Sequence, residues 1–116
     1  MSTKSKSGRV GSDIDGTYLE HEELHGHVDC LITANTYEEY DEVMDDLDWE
    51  DIPVFWNPLG KDEKPDIDSI VNHKSNIINK LELDTFFEDQ PLQKEMLTVL
   101  CTKCNVILVK EGEKAI

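Results

Sequence analysis

Apolar positions along the 116-residue chain fall into two rhythms. Short runs rich in Val, Ile and Phe occupy residues 9–15, 28–33 (VDCLIT), 53–56 (PVFW), 85–87 (TFF) and 105–110 (NVILVK), and most do not alternate with polar residues. Such runs mark strands buried on both faces, as in a parallel sheet. Between the later runs the spacing changes to three-and-four. Thr36 is placed to cap a helix with Tyr37, Tyr40, Val43, Met44 and Leu47 on its inner face and acids on the other. Pro65 suits the first turn of a second helix, with Asp66 or Asp68 favouring its start. The apolar stripe of that helix is Ile67, Ile70, Val71, Ile77, Ile78 and Leu81. A third helix is predicted from Pro91, with Leu92, Met96, Val99 and Leu100 inward. The order β–β–α–β–α–β–α–β predicts one doubly wound α/β domain over 9–116, built on a mostly parallel five-stranded sheet with right-handed crossovers. Residues 16–27, between the first two strands, have room for a turn or a short helix and nothing more.

Composition narrows the function classes. Eleven Lys and Arg stand against 26 Asp and Glu, a net charge of −15. Gripping nucleic acid or anionic lipid by generic electrostatics needs clustered cations, so that class is excluded. No apolar run reaches the roughly 18 residues of a membrane span, so no membrane partner is expected. Residues 1–8 are polar and predict a mobile tail without the apolar segment of a signal peptide. With an odd count of three cysteines, the expectation is a reduced, cytoplasmic protein.

In open α/β sheets ligands sit beyond the carboxyl ends of the strands. The first strand ends in Asp13-Ile14-Asp15-Gly16-Thr17. Strand period puts Asp13 and Asp15 on one side, about 6–7 Å apart along the chain. Carboxylates that close repel unless a cation lies between them or one is protonated. The second strand ends in Thr33-Ala34-Asn35-Thr36 and the fourth in Glu88-Asp89. Four carboxylates with hard oxygen donors nearby describe a magnesium site, although acids at strand ends are commonplace in a chain with 26 of them. Lys74 falls near the middle of its helix's apolar stripe. Either its stem covers apolar surface while the ammonium reaches water, or it turns toward the strand-end acids. As a cation on an apolar stripe, it is expected to tolerate replacement by Met without loss of the fold.

These residues resemble the four ordered motifs of the haloacid dehalogenase (HAD) superfamily. Asp13-Ile14-Asp15-Gly16-Thr17 resembles its DxDGT motif, Leu31-Ile32-Thr33-Ala34-Asn35 its hydroxyl motif, His73-Lys74 its lysine motif and Phe86-Phe87-Glu88-Asp89 its acidic motif. The resemblance covers residues 9–110 and is nearest to small capless phosphatase domains of bacteria and their phages. It implies a Rossmann-like, HAD-type sheet without a cap domain. It also implies Asp13 as the nucleophile and Asp15 as the general acid and then base. Thr33 and Lys74 would be phosphate-side catalytic residues, and Mg²⁺ would be held at Asp13, Asp15 (through its backbone carbonyl), Glu88 and Asp89. Departures are Ser12, at a position usually apolar, and Asn35, where many relatives carry an arginine. The inserts at 16–27 and 57–64 are too short for a cap, which resembles members that act on bulky substrates or close the site by homo-oligomerising. The implied substrate is a phosphomonoester: a phosphorylated small molecule, such as a nucleotide, or a nucleic-acid end phosphate.

Other constellations compete. Residues 38–51 carry nine acids and no base, a solvated helix face or a surface for a basic protein partner. The second function class is therefore a non-catalytic acidic binding or inhibitor protein, DNA-mimic-like, that reuses the fold. His21, His25, His27 and Cys30, with Cys101 and Cys104, match no standard zinc spacing, and reduced thiols are expected. Phe55 and Trp56 are expected in the core and Trp49 at the surface.

Overall fold

The computed structural model describes residues 9–58 and 65–115. The expected tail at 1–8 and most of the 57–64 connection lie outside the described residues. Strands form where the unalternating runs predict them: β1 (Val10–Ser12), β2 (Cys30–Thr36), β3 (Val54–Asn57), β4 (Thr85–Glu88) and β5 (Asn105–Leu108). All pair in parallel, in the order β3-β2-β1-β4-β5. Neighbours in sequence go to opposite faces, which is why the runs do not alternate. Leu31 and Phe87 join one core with Tyr18, Leu24 and Val28 under helix α1 (Tyr40–Asp46). Ile32 and Phe86 join the other with Val71, Ile78 and Leu97 under helices α2 (Ile67–Leu81) and α3 (Pro91–Leu100). Helices on both faces make the sheet doubly wound. Between β1 and β2 lie only a wide turn at Ile14–Tyr18 and a 3₁₀ turn at Glu22–Leu24, so no cap is seen among the described residues. No helix among them is long and apolar enough to cross a membrane.

Gly11 lets the sheet close at its centre. A Cβ there would come within 2.6 Å of Leu83 Cδ1 and 3.2 Å of Phe86 Cδ1. Helix α2 starts where Asp66 Oδ1 accepts the Ser69 N–H at 2.8 Å, an N-cap that satisfies one orphan donor. Pro65 lies just before this cap rather than inside the first turn. Two further expectations are corrected. Thr36 remains in β2 and makes no side-chain cap; a 3₁₀ turn at Tyr37–Glu39 precedes a short α1, and Tyr37 is left 65 % exposed. On α3 the expected inward residues Leu92, Val99 and Leu100 are exposed, and Leu97 is the buried one. The helix is rotated so that Gln93, Met96 and Leu97 share the inner face, Leu97 and Met96 packing in the core and Gln93 reaching across to Lys74.

The strand order creates a switch point. From β1 the chain moves outward through β2 to β3, then α2 carries it back to β4 on the other flank of β1. The crevice beyond the carboxyl ends of β1 and β4 is where this topology places a ligand.

Candidate functional site

Asp13 follows β1 directly, its N–H donating to Phe87 O at 3.0 Å and so extending the β1–β4 ladder by one rung. The Ser12 hydroxyl, fully buried, donates to Asp13 O at 2.7 Å, which satisfies a polar group at a position expected to be apolar. Asp13 (φ −69°, ψ 161°) and Asp15 (φ −68°, ψ 131°) are extended on either side of Ile14, and the chain turns at Gly16, with φ +75°. A Cβ on Gly16 would collide with the Asp89 carboxylate, so glycine is required for both conformation and space.

Lys74 is 1 % exposed, and its ammonium donates to Asp13 Oδ1 at 3.3 Å, Glu88 Oε2 at 2.7 Å and Gln93 Oε1 at 2.8 Å. Of the two readings of this lysine, the structure selects the turn toward the acids. An ammonium has three protons, and all three are used. Burial pulls the Lys74 pKa down, but Asp13 and Glu88 outweigh it and hold the group above the usual lysine value. Carboxylate oxygens of Asp13, Glu88 and Asp89 all lie within 4.8 Å of one another. Three carboxylates against one ammonium leave the cluster anionic. Burial first, then Glu88 and Asp89, push Asp13 well above the ordinary carboxylate range, against the pull of Lys74. Asp13 and Asp89 lie within hydrogen-bonding reach, a pairing that requires a proton or a cation between them. Burial also raises Glu88, partly offset by Lys74 and the Gln90 N–H.

The members of the cluster are not equivalent. Glu88 is fully buried, and Oε1 accepts the N–H groups of Asp89 (3.1 Å) and Gln90 (3.3 Å) while Oε2 holds Lys74. Both its oxygens are engaged, so it orients the lysine and is a poorer metal ligand than its neighbours. Asp89 is partly buried and accepts the Thr17 hydroxyl at 3.2 Å. Asp15, grouped with the metal ligands in the sequence analysis, keeps its side chain outside the cluster. It is exposed, and Oδ2 accepts from Asn35 Nδ2 at 3.1 Å, because Asp15 lies beyond the end of β1, in the Ile14–Tyr18 turn at the rim. Thr33 is buried in the middle of β2; its hydroxyl accepts the Asn35 N–H at 3.0 Å and keeps its own proton to donate. His73, beside Lys74, is held below the usual imidazole value by burial, and its Nε2 makes no hydrogen bond of ordinary geometry.

A cleft of about 550 Å³ opens beside Asp89 and Gly16, bounded by Glu20, Pro91, Leu108 and Lys110. Sequence reasoning missed Gln93 and Thr17 as partners of the site. Thr17 carries a signal, since it sits in the Asp-Gly-Thr turn. Gln93 carries none, being one polar residue in a helix whose rotation is set by packing.

The zinc alternative does not assemble. Among the described residues the acidic triad is the cluster able to hold a metal, and His21, His25, His27 and the cysteines form none. Cys30, Cys101 and Cys104 are free thiols. Burial lifts Cys30 to about 11 and Cys104 to about 12, which keeps them protonated and unreactive. Searches against protein-family models, curated proteins and solved structures returned no match to this chain.

Proposed function

We propose that this protein is a Mg²⁺-dependent phosphomonoesterase of HAD type, working through an aspartyl-phosphate at Asp13. One observation carries the reading: a buried ammonium, Lys74, bonded to Asp13 and Glu88 at the carboxyl ends of two strands that meet at the sheet's switch point. A lysine is buried at such cost only where anions must be managed. The donor set fits a hard divalent cation, since oxygens of three carboxylates converge within 4.8 Å. Asp13 and Asp89 would hold Mg²⁺, with the Asp15 backbone carbonyl as the resemblance implies. When bound, the cation supplies charge neutralisation for the transferring phosphoryl group.

The chain's own groups do the rest. Lys74 favours the ionised form of Asp13 against burial and the neighbouring acids, and balances incoming phosphate charge. A carboxylate oxygen of Asp13 attacks phosphorus, forming an O–P bond as the ester P–O bond breaks. Asp15, at the solvent-facing rim, gives its proton to the leaving oxygen. The Asp15 carboxylate then takes a proton from water, whose oxygen attacks phosphorus and releases inorganic phosphate and free Asp13. The Thr33 hydroxyl donates to a phosphoryl oxygen. The open cleft beside Asp89 suits a small phosphate ester such as a nucleotide, or the terminal phosphate of an oligonucleotide. Long duplexes are disfavoured by the charge of −15.

The test is turnover of nucleotides, sugar phosphates and end-phosphorylated oligonucleotides with and without Mg²⁺. Asp13→Asn is expected to reduce turnover to background while far-UV circular dichroism is unchanged. Wild-type turnover in that variant ends the proposal.

A further inference from the structure

On the opposite face of the sheet from α2 and α3, four aromatic rings form a cluster that the phosphatase reading does not use. Tyr40, the first residue of α1, contacts the other three: Tyr37 at 5.0 Å, Trp56 at 5.5 Å and Trp49 at 5.9 Å between ring centroids. Tyr37 and Trp56 meet edge to face at 5.9 Å. Packed rings are ordinarily buried, yet Tyr37 is 65 % and Trp49 53 % exposed. Beside them a groove of about 360 Å³ runs between α1 and β3, an edge strand of the sheet, lined by Tyr40, Met44, Trp49, Asp51 and Trp56.

The backbone is shaped to present Trp49. Asp48 (φ 55°) and Trp49 (φ 52°) are consecutive non-glycine residues in the left-handed region, a conformation that persists only where its surroundings enforce it. Here the Trp49 N–H donates to Met44 O at 2.8 Å and its indole N–H to Asp45 Oδ1 at 2.7 Å. Glu50 accepts the Tyr18 hydroxyl through both oxygens, at 2.7 and 2.8 Å. Asp45 and Glu50 therefore fix the wall. Asp41, Glu42, Asp46, Asp48 and Asp51 are exposed around it, and no Lys or Arg occurs from residue 38 to 51. Aromatic faces inside a strongly negative field complement one chemistry: a cation with a flat or alkyl body.

We propose that this groove docks a basic segment of a partner protein by stacking arginine or lysine side chains against Trp49 in the groove and Tyr37 beside it, with the acids of α1 and the following loop supplying attraction. An acidic surface alone would attract any polycation; the aromatic wall makes the surface selective for a cation that can be stacked. None of these aromatic residues is a hydrogen-bond partner of Asp13 or Lys74, and the proposal stands or falls independently of the phosphatase reading.

The probe is an end-blocked tri-arginine peptide, titrated calorimetrically into the full chain against its uncharged citrulline counterpart. Binding of the arginine peptide and not the citrulline peptide is expected. Trp49→Ala and Tyr37→Ala, at exposed positions, should each weaken it by about fivefold to tenfold with melting temperatures close to wild type. A charge control on the other face, Glu82→Gln with Glu95→Gln, should change affinity by less than about twofold. Asp13→Asn should bind as wild type does. Equal affinity of wild type and Trp49→Ala, equal binding of both peptides, or no binding at all would each overturn the proposal.

Discussion

Lys74 is the residue whose consequences change most once its surroundings are known. From the sequence, Lys74→Met is expected to keep the fold, since a cation on an apolar stripe gives way to a similar apolar chain. In the structure all three ammonium protons serve buried acceptors. Removing the lysine leaves two buried carboxylates without their counter-charge, which costs about 3–5 kcal/mol. Lys74→Met is therefore expected to melt well below wild type and to lose turnover. Lys74→Met combined with Glu88→Gln should recover much of the melting temperature and none of the turnover. Equal stabilities of the single variant and wild type in chemical denaturation would contradict the triple bonding. Gly16 is the second such residue. Gly16→Ala meets both a positive φ and the Asp89 carboxylate. It should lose about 1–2 kcal/mol of stability and, by displacing Asp89, most of any Mg²⁺-induced rise in melting temperature. Asp13, Lys74 and Asp89 were legible because charge on a buried pattern is conspicuous. Gln93 and the rim position of Asp15 were not, since both depend on the angle at which an element meets its neighbours.

At the scale of elements, the chain's first connection is tied to its last segment through His21. The ring is 3 % exposed, with Nδ1 at 3.0 Å from Thr17 O and Nε2 at 3.1 Å from Lys110 O. Both neighbours are carbonyls, so only the doubly protonated ring can donate to both. Burial disfavours that charge, but the Lys110 and Thr17 carbonyls, with Glu23 and the Glu113 backbone, outweigh it and raise the pKa above the usual imidazole value. A pKa raised in the folded state adds stability that is complete below about 6.5, the unfolded value, and fades as pH rises through the folded value. The melting temperature of wild type minus that of His21→Gln is thus expected to be largest in mildly acidic buffer and to shrink toward alkaline pH. A difference that is constant or grows with pH would sink this reading. The same segment is anchored a second time, where Ala115 N–H donates to Glu23 Oε2 at 2.6 Å. Element order and type were legible from periodicity. The rotation of α3 and the truncation of α1 were not, because propensity and capping residues act locally while packing sets which face turns inward.

For the whole molecule, folding brings three carboxylates that repel one another into one crevice. Anything that binds that crevice only in the folded state shifts the unfolding equilibrium. Millimolar Mg²⁺ is expected to raise the melting temperature above that in EDTA. The rise should be several degrees if the ion is held at about a hundred times its dissociation constant, which corresponds to roughly 2.7 kcal/mol. A melt unchanged by the ion would count against the metal site, and Asp13→Asn should abolish the rise. What the sequence determined by itself is the alternation of strands and helices, burial of the strands on both faces, and the presence of a lysine on an apolar stripe. These are local, because side-chain period and backbone type are properties of neighbouring residues. Only the tertiary structure decided that β4 lies against β1 rather than beyond β3. That placement brings Asp13 and Lys74 together across 61 positions of chain. It also separates Asp15 at the rim from Glu88 in the core and sets the edge strand beside the aromatic wall of α1. Strand order depends on pairings between distant segments, and no period along the chain encodes them.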